Sequence, residues 1–192
     1  MMTDIENKAR TDRSYKLLLI FGMISIVMLF AGLTSAMVVS KSRPDWLKDY
    51  EMPTAFTIST VLILMCSVTF YLAQRFIKQN NRSMTTVMLL LTLVLGGLFI
   101  KFQFEGFDQL FMHRLFPTGK SGSVTIAFMY ILVYVHLAHL FGGVISLLII
   151  IYNHFKQKYT AAQYLGIELG AMYWHFLDAL WLYLFLFLYF FK

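Results

Sequence analysis

Between Leu17 and Val39 the chain runs for 23 residues without a charged side chain. About 20 helical residues cross the hydrocarbon core of a bilayer, so this run spans one with some tilt. Four further apolar stretches follow, at 54–76, 83–103, 124–153 and 169–191, and most of the charge lies between them. Backbone inside hydrocarbon must bond to itself, which leaves helices as the simplest spanning form. The expected fold is therefore all-α: a polytopic membrane protein with five transmembrane helices in one bundle, 17–192. A polar N-terminal segment, 1–16, precedes it and is expected to be mobile at the membrane surface. The first run exceeds a secretory h-region and no A-x-A site follows, so it reads as a retained span.

Composition excludes several classes. Hydrophobic residues make up 59% of the chain and charged residues 14%, against about 25% charged in soluble domains. A soluble enzyme is not expected. The formal charge of +6 is spread over the N-terminal segment and several loops, which suits anionic lipid and argues against a nucleic-acid partner. Cys66 is the single cysteine, so an internal disulfide and a cysteine metal cluster are both excluded. Lys and Arg number four, three and two in the N-terminal segment and the loops after helices two and four, against seven on the other side. That margin orients the N-terminus to the cytoplasm and the C-terminus to the opposite side of the membrane.

The polar residues inside the apolar runs are the candidates for function. The last run carries Glu168, His175 and Asp178 on one side of a helix, since seven residues return nearly to the same face. The fourth carries HLAHLFGG, in which His136 and His139 share a face, and Gly142 with Ser146 forms a small-xxx-small pair beside Gly143. Intramembrane ionisable groups are costly and have partners. His136, His139 and His175, with Glu168, could ligate haem or a metal; alternatively they bond neighbouring helices and set the packing. Asp178 could fix the His175 tautomer, serve in a proton relay, or lock its helix in register. The chemistry of the residues favours structural roles, because 17–103 offers no ionisable residue at mid-depth for a relay. No phosphate loop, Ser-His-Asp set or Walker-type pattern occurs.

Two motifs together resemble subunit III of the haem-copper (cytochrome c) oxidases. YWHFLDALWL (173–182) is similar to that family's Y-W-H-F-V-D-x-x-W-L, and HLAHLFGG (136–143) to its H-x-x-H-V-x-x-G. GIE at 166–168 resembles G-F-E, EMP at 51–53 with Thr57 resembles E-x-P-x-x-N-T, and LGGLF at 95–99 with Gln103 resembles L-G-x-x-F-x-x-x-Q. The resemblance covers about 50–192. Phe56 departs from a frequent Asn, Asn153 from a frequent Arg, and Glu105 lies two rather than three residues after Gln103. Family members usually have seven spans, so two helices are expected to be carried elsewhere, as on subunit I.

The resemblance implies a non-redox accessory subunit of a proton-pumping oxidase in aerobic respiration, with no catalytic and no metal-binding residue of its own. Haem and copper are expected on partner subunits I and II, and phospholipid on this chain. A larger respiratory supercomplex is a further possible partner. His136, His139, Glu168, His175 and Asp178 are expected to form an interhelical polar network, with Gly142, Gly143 and Ser146 in helix packing. Glu51 is expected as a buried or interfacial carboxylate near a lipid cleft and the proton-entry flank. The competing expectation is an intramembrane haem- or metal-binding oxidoreductase using His136, His139 and His175.

Overall fold

A computed structural model describes residues 4–47, 51–119, 122–160 and 163–191. Five helices account for nearly all of them: α1 (Asp4–Val39), α2 (Thr54–Lys78), α3 (Arg82–Met112), α4 (Val124–Phe155) and α5 (Leu165–Phe190). All five are long and apolar enough to cross a membrane. Consecutive members of the set α2, α3, α4, α5 pack side by side, and α5 closes the ring against α2. α1 stands outside that four-helix bundle, against the α4–α5 edge.

Two boundaries differ from the sequence expectation. Residues 4–16, expected as a mobile segment, continue α1 as helix. They contain neither Gly nor Pro, and six of the thirteen are the good helix formers Glu, Lys, Ala and Arg, so nothing interrupts propagation from the apolar run behind them. α3 likewise runs on through 104–112, where a connection was expected. Its 31 residues extend about 46 Å, well beyond the roughly 30 Å hydrocarbon core. Lys48, Lys120 and Lys192, which enter the charge count above, lie outside the described residues.

Three interior helices end alike. Asn80, Arg114 and Gln157 adopt φ near 59°, 57° and 57°. Each lets the following N–H donate back to a helical carbonyl, Asn81 to Phe76, Leu115 to Leu110 and Lys158 to Asn153. That bond satisfies a carbonyl the helix would otherwise leave open. The Asn81 side chain then accepts from the Met84 N–H and caps α3.

The core lies along the bundle axis and is built on α5. The Trp174 indole fits where α3 and α4 are bare: a β-carbon on Gly96 would sit 3.2 Å from it, and one on Gly143 3.5 Å. Trp174 stacks on Phe70 at 6.0 Å. Two turns further along, Trp181 meets Phe99 edge-on at 5.2 Å and Phe56 at 6.1 Å. The close helix contacts are thus made by Gly96, Gly143 and Gly170, the last facing Ile150 and Phe70. Gly142 and Ser146, expected to share that role, are turned away: Gly142 is exposed and Ser146 lines an outer groove. The reason is angular, because Gly143 occupies the face of α4 that meets α5 and its neighbour points 100° away.

α1 buries only one seam, Phe30, Thr34 and Met37. Its Thr34 hydroxyl meets the Tyr183 hydroxyl at 3.2 Å. The connection after α1 is tied to the start of α4, with the Leu47 N–H donating to Thr125 Oγ1 and Ser123 Oγ donating to the Asp45 carbonyl. Gln109, on the extension of α3, accepts from the Ala55 N–H and so supplies the cap that α2 lacks from its own sequence.

These contacts set a contrast between two glycines of α3. A β-carbon on Gly106 would overlap the Phe56 ring, whereas one on Gly97 meets nothing within 4 Å. Gly106→Ala is expected to cost about 1–3 kcal/mol by overpacking, and Gly97→Ala to be neutral or to stabilise by up to about 1 kcal/mol. Unfolding midpoints of the two variants in mild detergent measure the difference.

Candidate functional site

Each polar residue singled out by the sequence has its own surroundings. His136, on α4, is fully buried, with its ring packed on Trp181 at 5.2 Å and Phe99 at 6.1 Å. Neither ring nitrogen has a hydrogen-bond partner. His139, one turn on, places Nδ1 2.7 Å from the Val135 carbonyl of its own helix and its ring against Phe30 of α1. Glu168, in the first turn of α5, accepts from Lys16 Nζ at 2.6 Å. Both partners are about a third exposed, 34% and 30%, so the pair contributes at most about 1 kcal/mol. Its consequence is positional: it holds the extension of α1 against the start of α5.

His175 and Asp178 face α2. His175 Nδ1 lies 2.6 Å from Ser67 Oγ. Asp178 is 3% exposed, and neither of its oxygens has a hydrogen-bond partner among the described residues. No hydrogen bond or ion pair in the described structure joins two of the five expected network residues. The bonds run outward from them, to Lys16, to Ser67 and to the backbone of α4. The buried alternative for Glu51 is not met either, since its side chain is exposed ahead of Pro53.

The three histidines do not converge. His136 is enclosed by aromatic rings, His139 is bonded along α4, and His175 is bonded across to α2. Among the described residues no three His, Cys, Asp or Glu side chains gather as a ligand set.

Sequence reasoning missed the partners. On α2, Thr60 accepts from Trp181 Nε1 at 3.0 Å and Ser67 meets His175, so two hydroxyls seven residues apart face α5. Ser59 accepts from Gln103 Nε2, and Thr69 pairs with Thr92, fastening α2 to α3. The heptad spacing of Thr60 and Ser67 was the available signal, since it matches the polar face of an antiparallel neighbour.

A second feature lies where α1 leans on α5. A cleft of about 390 Å³ is lined by Lys8, Asp12, Lys16, Lys158 and Gln163, with the α5 start as its floor. It shares Tyr159 and Gly166 with an apolar groove of about 410 Å³ that runs along Leu19, Ile149, Leu169 and Tyr173. Three lysines, with Asp12 and the Glu168 that binds Lys16 among them, therefore sit at the mouth of an apolar groove. Burial pushes the Tyr159 phenol above its ordinary value, so it remains a neutral donor at the join. The Arg82 guanidinium holds the Tyr159 carbonyl at 3.2 Å.

Comparison with known proteins gives a consistent set. The family model described as "Cytochrome c oxidase subunit III" matches residues 7–192. Cytochrome c oxidase subunit 3 of Petromyzon marinus is 29% identical over 185 residues, 89% of this chain and 67% of the relative. Its counterpart in Pelomedusa subrufa is 30% identical over 144 residues, 74% of this chain and 51% of the relative. The bacterial one in Alkalihalophilus pseudofirmus is 30% identical over 128 residues, 67% of this chain and 61% of the relative. The chain thus spans 67%, 51% and 61% of these relatives' lengths.

Thr60→Val keeps the shape of the side chain and strands the buried Trp181 N–H. It is expected to cost about 1–3 kcal/mol, while Thr60→Ser, which keeps the acceptor, costs less. Detergent unfolding followed by tryptophan fluorescence reports both.

Proposed function

The chain belongs to the cytochrome c oxidase subunit III family, and on that premise we propose that it works as the non-redox third subunit of a proton-translocating haem-copper oxidase. Oxygen reduction would then take place on haem and copper held by partner subunits I and II. The observation that carries this reading is how the intramembrane histidines are used. Each is engaged in packing or in a bond between or along helices, at a different place in the bundle. Groups with such separate partners serve to hold spans together rather than to share one reacting centre.

We assign the chain three tasks in that assembly. Its four-helix bundle stabilises subunit I. Its cleft holds phospholipid: Lys8, Lys16 and Lys158 suit an anionic headgroup, and the adjoining groove suits an acyl chain. The third task, sustaining proton uptake on the cytoplasmic side, does not run through Glu51, which is exposed at the membrane face opposite the cleft. The basic N-terminal side is cytoplasmic, in a bacterial inner membrane. A larger respiratory assembly is a further partner.

Affinity purification of a tagged chain in mild detergent tests the assignment. The expected outcome is a complex whose haem spectrum and copper belong to other subunits. Recovery of the chain alone with a Soret band or bound metal would overturn it. His175→Ala is expected to loosen attachment to the partner or shorten enzyme lifetime in turnover, with haem spectra unchanged. For the lipid, native mass spectrometry of the Lys8→Glu, Lys16→Glu, Lys158→Glu variant is expected to show loss of bound anionic phospholipid. Unchanged retention would remove the cleft assignment while leaving the oxidase assignment standing.

A further inference from the structure

The charged cleft and the apolar groove at the edge of the bundle have two residues in common, Tyr159 and Gly166. On one side of them stand Lys8, Lys16 and Lys158, and on the other Leu19, Ile149 and Leu169. A phospholipid crosses such a join at its glycerol esters, because these lie between its phosphate and its acyl chains. An ester carbonyl accepts hydrogen bonds and donates none, and taking it out of water without a donor is unfavourable. Of the two residues at the join only Tyr159 has a side chain, and that side chain ends in a donor.

The fold holds that phenol in place. The Lys158 N–H donates to the Asn153 carbonyl, the Tyr159 carbonyl accepts from Arg82 Nη2 at 3.2 Å, and Thr160 and Gln163 exchange backbone bonds at 3.1 and 3.0 Å. The backbone is therefore tied down on both sides of Tyr159. Its side chain lies on the first turn of α5, where a β-carbon on Gly166 would overlap the phenol oxygen. Bare backbone at 166 thus lets the hydroxyl reach the point where the two cavities meet. Tyrosine suits this depth, with its ring toward apolar surface and its hydroxyl at the headgroup level. We propose that the Tyr159 hydroxyl donates to a glycerol ester carbonyl of the lipid bound here, so that the site selects a diacyl glycerophospholipid over its dialkyl ether counterpart. This inference rests on the assignment of the cleft to phospholipid, and it adds a reading of linkage chemistry to the lysines that meet the phosphate.

Native mass spectrometry of the detergent-purified complex provides the test. The complex is offered an equimolar mixture of dioleoyl phosphatidylglycerol and the ether-linked analogue with the same headgroup and chain length. Lipid lost in the Lys8→Glu, Lys16→Glu, Lys158→Glu variant is the lipid of this cleft, and the ratio of the two is read on that fraction. Wild type is expected to hold the diester over the diether by about two- to tenfold, the factor that one hydrogen bond contributes. Tyr159→Phe is expected to abolish that preference by weakening the diester alone. Equal retention of the two lipids by wild type, or a preference that survives Tyr159→Phe, would overturn the ester contact and leave the cleft assignment intact. Undiminished retention of both lipids in the lysine variant would remove the cleft assignment and the ester contact with it. Should Tyr159→Phe fail to assemble, the wild-type comparison still decides, since a site without the ester contact shows no preference.

Discussion

Trp174 reaches the bundle axis because Gly96 on α3 and Gly143 on α4 leave it room. In lipid, helix association has little hydrophobic drive of its own, so close van der Waals contact and interhelical bonds must hold the spans. The insertion of one large rigid ring into two bare backbones supplies that contact where three helices meet. Phe70 stacks on its far side, and Trp181 with Phe99 and Phe56 repeats the arrangement about two turns along α5. The same geometry brings α5 close enough to α2 for side-chain hydroxyls to bridge them.

Polarity in this core is distributed in pairs, one small bond at each level. Trp181 to Thr60, His175 to Ser67, Thr69 to Thr92 and Gln103 to Ser59 each join two spans. Interhelical bonds of this type in membranes contribute about 0.6–2 kcal/mol apiece, so none dominates, but each is satisfied in only one register. Packing sets how near the helices come, and the hydroxyls set how they are aligned. His136, Asp178 and the Trp174 indole N–H are exceptions. The first is enclosed by rings, and none of the three has a hydrogen-bond partner among the described residues.

The periphery follows another logic. α1 buries a single seam and is tied at its outer end by the exposed Lys16–Glu168 pair. A helix attached so lightly leaves gaps on both sides, one basic at its mouth and apolar along its length, the other apolar throughout between Phe30 and Tyr183. Proteins that bind amphiphiles need both characters in one continuous space, and Tyr159 with Gly166 is where they join.

The sequence alone was enough for the number of spans, their type and the identity of the buried polar residues, since each follows from a local rule. Uncharged runs of bilayer length must be helical, and an ionisable group inside one must face protein. It also carried the two motifs that mark the family. It was silent on where α1 and α3 extend past the hydrocarbon, because polar helix formers carry no stop signal: none interrupts 4–16, and α3 runs on until Arg114 turns the chain. Tertiary structure decided the partners. That Glu168 meets Lys16, that His175 meets Ser67, and that Gly143 rather than Gly142 faces Trp174 depend on the rotation of each helix about its axis. Helical periodicity says which residues share a face, but only packing against a neighbour says where that face points.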